Sequence, residues 1–236
     1  QLYDSAARML HIRNNLIEDF TESKKRIIDL GVSTIPSSYL LPELLAEFGK
    51  HHPDVYFHSL QSDSLDAIGR VLDGSVDLSL AGQNTGDETC CFIPFCQDSL
   101  VIAAPVTDHY LQMEGKKLTF QDFIRDPIII REKGSGTKKE MDLFLEKIGV
   151  APPELNVVAR MNDLESIKKS IVNGLGISIL SARSVQDLKK TKQILLFTLD
   201  EAVHTRSFYI VYSKNRILKP HVRQFIHFVQ DFYKSS

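Results

Sequence analysis

Cysteine is scarce in this 236-residue chain: Cys90, Cys91 and Cys96 are the only three, and they crowd into one short stretch. A disulfide framework needs an even, spaced set, so the expected setting is a reducing cytoplasm. A bridge between the adjacent Cys90 and Cys91 is strained. Cys96 can reach one of them across a turn, which leaves a redox switch open beside the commoner role of small buried apolar groups. Basic excess is also missing, since 28 Lys and Arg face 30 Asp and Glu for a formal net charge of −2. Phosphate neutralisation carries most non-specific DNA affinity, so the chain is not expected to grip DNA by itself. Long hydrophobic runs are lacking too. Stretches such as Pro127–Ile130 fall far short of the roughly 20 apolar residues of a membrane span, and Gln1–Phe20, with Asp4, Glu18 and Asp19 and no unbroken apolar stretch, is not expected to be a signal peptide. Gly134–Lys139 lacks the spacing of a phosphate loop, and no Gly-x-Ser-x-Gly elbow occurs, which removes nucleotide and serine hydrolysis. His51 and His52 are adjacent and His58 stands alone, a poor set for a metal. Neither a metal nor a cofactor is expected, and no catalytic constellation is present. Internal repeats and low-complexity tracts are absent.

What is present is an alternation of apolar runs and amphipathic stretches. Leu2, Ala6, Met9, Leu16 and Phe20 recur in steps of three and four, which predicts a helix over Tyr3–Ser23. It is either a brace packed on its own domain or a dimerising linker. Ile27–Val32 reads as a buried strand and Ser33–Ser38 as a polar loop. A helix follows with Leu41, Leu44, Leu45 and Phe48 inside and Pro42 in its first turn. Val55–Leu60 is a strand, Ser64 the expected N-cap of a helix over Leu65–Leu72, and Val76–Ala81 a third strand. This βαβαβ order predicts a parallel sheet flanked by helices. Two separate strands, Cys91–Phe95 and Leu100–Ala104, lead into a second α/β run with strands at Ile128–Arg131, Val157–Ala159, Ile177–Leu180 and Ile194–Phe197. Phe208–Tyr212 is the last strand. The closing helix from Pro220 buries Val222, Phe225, Ile226, Val229 and Phe232.

Two loops join the end of a strand to the start of a helix, Ser33-Thr34-Ile35-Pro36-Ser37-Ser38 and Gly134-Ser135-Gly136-Thr137. Ligands of open α/β sheets collect at the carboxyl ends of strands, and a helix start offers unpaired N–H groups and partial positive charge suited to an anion. Plain capping by serine and threonine is the competing explanation. Arg131 ends its strand just before the second loop, where it can pair with a bound carboxylate or, equally, with Glu132 or Asp163.

Four blocks carry a family resemblance: Ile27–Val55 (IIDLGVSTIPSSYLLPELLAEFGKHHPDV), Leu72–Leu80 (LDGSVDLSL), Gly134–Thr137 within REKGSGTKKEMDLFL, and Leu164–Leu180 (LESIKKSIVNGLGISIL). Together they resemble the effector-binding region of LysR-type transcriptional regulators. The resemblance implies an α/β fold of two Rossmann-like subdomains joined by two crossover strands, as in type 2 periplasmic binding proteins, preceded by an N-terminal helix. Residues 1–24 are then the end of a linker helix, 25–103 with 207–236 the first subdomain and 104–206 the second. The winged helix-turn-helix that reads DNA in this family is expected to be absent from the chain. Carried over by position, the effector-lining residues are Ser33, Thr34, Ile35, Ser37, Ser38, Gly82 and Gln83 on one side and Ser135, Gly136, Thr137 and Asn162 on the other, with Arg131 added from the residues themselves. The implied partners are a small anionic effector between the two lobes and further copies of the chain, as homodimer or homotetramer. The STIPSS and GSGT loops lie nearest the branch concerned with sulfur or related oxoanions, although Gly82 departs from the hydroxyl residue some of its members carry. A solute-binding protein of a transporter shares the architecture and is the alternative. Against it stand the missing export signal, the odd cysteines and the linker-like first helix.

Overall fold

In the computed structural model the described residues are 6, 9, 10, 13, 26–198 and 205–234. The helix expected over Tyr3–Ser23 lies largely outside them, with residues 6, 9, 10 and 13 helical. The chain divides into two compact units, Gln1–Cys96 with Ser207–Ser236, and Gln97–Arg206.

The first unit opens with β1 (Arg26–Ser33), α1 (Thr34–Tyr39), α2 (Leu41–His51), β2 (Val55–Ser62), α3 (Ser64–Asp73) and β3 (Leu78–Ala81). The strand β4 (Cys90–Pro105) carries the chain into the second unit, which holds α4 (Asp108–Leu111), β5 (Ile128–Arg131), α5 (Gly136–Lys147), β6 (Val157–Met161), α6 (Leu164–Val172), β7 (Ser178–Ser181), α7 (Gln186–Lys190) and β8 (Ile194–Phe197). The return is made by β9 (Thr205–Ser213), and α8 (Pro220–Lys234) completes the first unit.

In the first unit the strand order is β2-β1-β3-β9, with the first three parallel and β9 antiparallel to β3. The apolar run of β1 has a neighbour on each side, and Ile28, Leu30 and Val32 are wholly buried. At the sheet edge, β2 alternates buried-leaning and exposed residues, as a half-covered strand should. The two faces are closed by helices. Phe48 of α2 meets Phe57 of β2 and Phe225 of α8 edge to face at centroid distances of 5.7 and 5.2 Å, and a buried phenylalanine contributes roughly 1.5–3 kcal/mol. Of the four apolar residues predicted inside α2, Leu41, Leu44 and Phe48 are buried, whereas Leu45 is only partly so.

The second unit pairs β4 with β7 and β8, both antiparallel, and β5 with β6 in parallel. Its core is built from Phe120, Phe123, Ile128, Ile130, Met141, Phe144, Leu145, Ile177 and Phe197 with their neighbours.

Three local expectations are corrected. Cys91–Phe95 and Leu100–Ala104 belong to one 16-residue strand, β4. The polar Asp98 between them reads as a break, but the structure buries it in an ion pair with Arg206, whose Nη2 lies 2.9 Å from Oδ2, and Ser181 Oγ donates to its other oxygen at 2.8 Å. Burial pulls the Arg206 guanidinium below its ordinary value, against the opposing pull of Asp98. Ser33–Ser38 is no open loop: α1 begins directly after β1. It stops at Tyr39 because Pro42 has no N–H to continue the ladder and its ring would press on the Ser38 carbonyl. Lastly, Asp63 and not Ser64 caps α3, accepting the Asp66 N–H at 2.9 Å.

Gly176 holds the entry to β7. Its φ is 155°, and a Cβ there would stand 2.2 Å from the Pro127 carbonyl oxygen, the atom that accepts the Ile177 N–H at 2.8 Å. The substitution Gly176→Ala is therefore expected to lower stability by about 3 kcal/mol. A urea titration checks this, and an unchanged midpoint contradicts it.

Candidate functional site

Parallel pairing brings strand ends abreast. In the first unit Ser33 pairs with Ser62, and Val32 with Leu80, so the chain exits after β1, β2 and β3 lie side by side. Ser33, the segment Ser62–Ser64, and Gly82 with Gln83 therefore share one edge. Two hydrogen bonds stitch that edge: Gly82 N–H donates to Ser64 Oγ at 3.1 Å, and Ser37 Oγ donates to Gln61 Oε1 at 3.2 Å. Ser33, Ile35, Gly82 and Gln83 are buried, Thr34 and Ser37 partly so, and Ser38 is exposed. Ser64 and Gln61 escape sequence reasoning. Ser64 reads as a cap because Asp63 and Ser64 are both competent caps and adjacent, and no pattern tells which of the two will turn toward β3.

The second unit repeats the arrangement. Arg131 pairs with Met161 across β5 and β6, so the Ser135–Thr137 helix start and Asn162 both follow the carboxyl ends of parallel strands. Ser135, Gly136 and Thr137 are buried, whereas Asn162 is exposed just ahead of the cap of α6. Arg131 is 3% exposed and grips Glu132 with two bonds, Nε to Oε2 and Nη2 to Oε1, each 2.8 Å. Of the alternatives open for Arg131 from sequence, this is the Glu132 pair.

Caps separate the two kinds of helix start. Asp63 and Asp163 accept backbone N–H groups of their helices, at 2.9 Å from Asp66 and 2.7 Å from Ser166. Bonds from the Ser166 hydroxyl and N–H hold the Asp163 carboxyl below its ordinary value. Ser33 and Ser135 stand at the N-cap positions of α1 and α5 with extended backbone, yet neither side chain makes the cap bond. Both residues are 4% exposed. Small hydroxyls buried at helix starts and unused for capping remain donors for something else. Among the described residues no group of three or more His, Cys, Asp and Glu is placed to hold a metal ion, and no helix is long and apolar enough to cross a membrane. The three cysteines are free thiols, Cys90 and Cys96 buried and Cys91 partly so.

The LysR substrate binding domain family matches residues 21–234, and the chain belongs to it. Among curated relatives, the HTH-type transcriptional regulator CbbR of Rhizobium meliloti (strain 1021) is 26% identical over 232 residues, which cover 95% of this chain and 71% of that protein. The chain spans only 31% to 64% of the length of the first three curated relatives it matches. Among solved structures, the effector binding domain of QuiR in complex with shikimate aligns with a TM-score of 0.80 at 21% identity, covering 89% of this chain and 98% of that one. The regulatory domain of CcmR from Synechocystis PCC6803, in complex with 2-PG, aligns with a TM-score of 0.79 at 23% identity, covering 88% and 97%. At those identities the likeness establishes the fold, the type 2 periplasmic-binding-protein architecture of LysR effector-binding domains.

Capping gives a direct check on the two serines. Asp63→Ala and Asp163→Ala are expected to cost about 1 kcal/mol each, as lost caps do. Ser33→Ala and Ser135→Ala should stay within about 0.5 kcal/mol of the parent. Equal losses in all four, measured by chemical denaturation, would return the serines to a capping role.

Proposed function

We propose that this chain is the effector-sensing part of a LysR-type transcriptional regulator. Its effector is a small anionic metabolite or oxoanion, and the candidate lining residues are Ser33, Thr34, Ile35, Ser37, Ser38, Gly82 and Gln83 in the first unit and Arg131, Ser135, Gly136, Thr137 and Asn162 in the second. The observation that carries the reading is the pair of buried N-cap serines that do not cap. Each leaves a hydroxyl at a helix start, where the partial positive charge of the helix gathers, and that combination suits a carboxylate or oxoanion. Family membership supports a sensing role, since curated relatives such as CbbR are transcriptional regulators. The fold is one on which QuiR takes shikimate and CcmR takes 2-phosphoglycolate, both anions.

Binding alters regulation only through a different affinity for two arrangements of the protein, so the anion must favour one of them. In this reading DNA is contacted by a helix-turn-helix domain outside this chain, copies of the chain assemble as a dimer or tetramer, and the protein works in the cytoplasm without catalysing a reaction. The family favours this over a transporter's solute-binding protein.

Calorimetry with a panel of sulfate, phosphate, O-acetylserine, shikimate, 2-phosphoglycolate and aromatic acids tests it. At least one anion should bind at a single site per chain. Ser33→Ala and Ser135→Ala should each weaken that binding by about 1–3 kcal/mol, the loss of one charge-assisted hydrogen bond. Binding that ignores both substitutions, or a panel that leaves the protein untouched, contradicts the assignment.

A further inference from the structure

Neighbouring residues of a strand point to opposite faces, so a bidentate pair between Arg131 and Glu132 requires the chain to leave its extended course between them. It does so at once. Ser135 N–H donates to the Glu132 carbonyl at 3.2 Å, closing a turn that ends on the N-cap of the 12-residue helix α5. One tight turn thus sets a carboxylate on a buried guanidinium right beside a helix start.

The charges around this point are closely matched. Arg206, also buried, is paired with Asp98 at 2.9 Å, and the positive charge of Arg131 is near enough to oppose it. Arg131 and Arg206 are thus met by Glu132 and Asp98, while Glu140 also favours the charge of Arg206 and the more exposed Arg183 stands 4.0 Å from Asp98. An anion added here with Glu132 still in place would leave a further negative charge out of water, which desolvation opposes. Exchange of one carboxylate for another keeps the balance. Glu132 is the partner able to leave, with its side chain 20% exposed against 0% for Asp98.

We propose that Glu132 is a built-in stand-in for the effector's anionic group, holding Arg131 until an incoming anion displaces it. This rests on the reading above that Arg131 belongs to the anion site. Glu132 is then a determinant of affinity and selectivity: an anion weaker than a tethered carboxylate fails to open the pair.

The test compares the parent chain with Glu132→Gln, which keeps the side chain's shape and removes its charge. Inorganic sulfate serves as probe, with affinity read by calorimetry and the Arg131 Nε–H resonance followed by NMR. Glu132→Gln should bind sulfate about tenfold or more tightly than the parent, with that resonance moving on titration. Arg131→Lys in the Glu132→Gln background should remove the gain. Glu132→Asp, which shortens the arm but keeps the charge, should show a smaller gain and serves where the glutamine variant does not fold. Sulfate binding that is no tighter in either variant overturns the exchange. If an anion of the wider panel still binds the parent and responds to Ser33→Ala and Ser135→Ala, the sensor reading survives that result; if none does, both fall.

Discussion

The arrangement depends on parallel strand pairing. When parallel neighbours run in register, their carboxyl ends finish along one edge, and every crossover helix or turn must start there. In the first unit the Ser33–Ser62 and Val32–Leu80 registers align three exits, and in the second the Arg131–Met161 register aligns two. Helix starts are thus gathered by backbone geometry before any side chain is chosen. The side chains then decide what those starts do. Aspartates at 63 and 163 cap two of them, while the serines at 33 and 135 make no side-chain cap bond.

Buried charge is the second constraint. Asp98 and Arg206 are taken out of water as a pair although far apart in sequence, and Asp98 lies inside the single strand β4. Lys168, 4% exposed, is compensated likewise by Glu165 and Asp187 at 3.0 and 3.1 Å. A buried ion is tolerable only with a partner, so an arginine at the start of a proposed anion site has to be neutralised by the protein's own acid when no ligand does it. Glu132 meets that need without a long-range contact.

Much of this was legible in the residues. Apolar runs of four to eight residues located strands such as β1, β5 and β8, steps of three and four located α2, α6 and α8, and their alternation fixed the α/β class. The four blocks that carry the family resemblance fall within the matched span of residues 21–234. What was not legible depends on partners distant in sequence or on a choice between equivalent neighbours. The gap between Cys91–Phe95 and Leu100–Ala104 closes into one strand whose Asp98 is paired with Arg206, over a hundred positions away. Ser64 looks like a cap until Gly82 claims its hydroxyl. The STIPSS segment looks like a loop because its polarity matches one, yet its residues close a helical turn that only Pro42 stops. Arg131 had three candidate partners in sequence, and only the turn geometry selects Glu132.

A small anion is the proposed guest of the helix starts behind Ser33 and Ser135, neither of which caps its own helix, and backbone NMR tests this most directly. Titrating the tightest-binding acid into isotope-labelled protein should move the amide signals of Thr34, Ile35 and Gln83 and those of Gly136 and Thr137. Signals that move only at the opposite ends of the strands, near Arg26 and Val157, would contradict it.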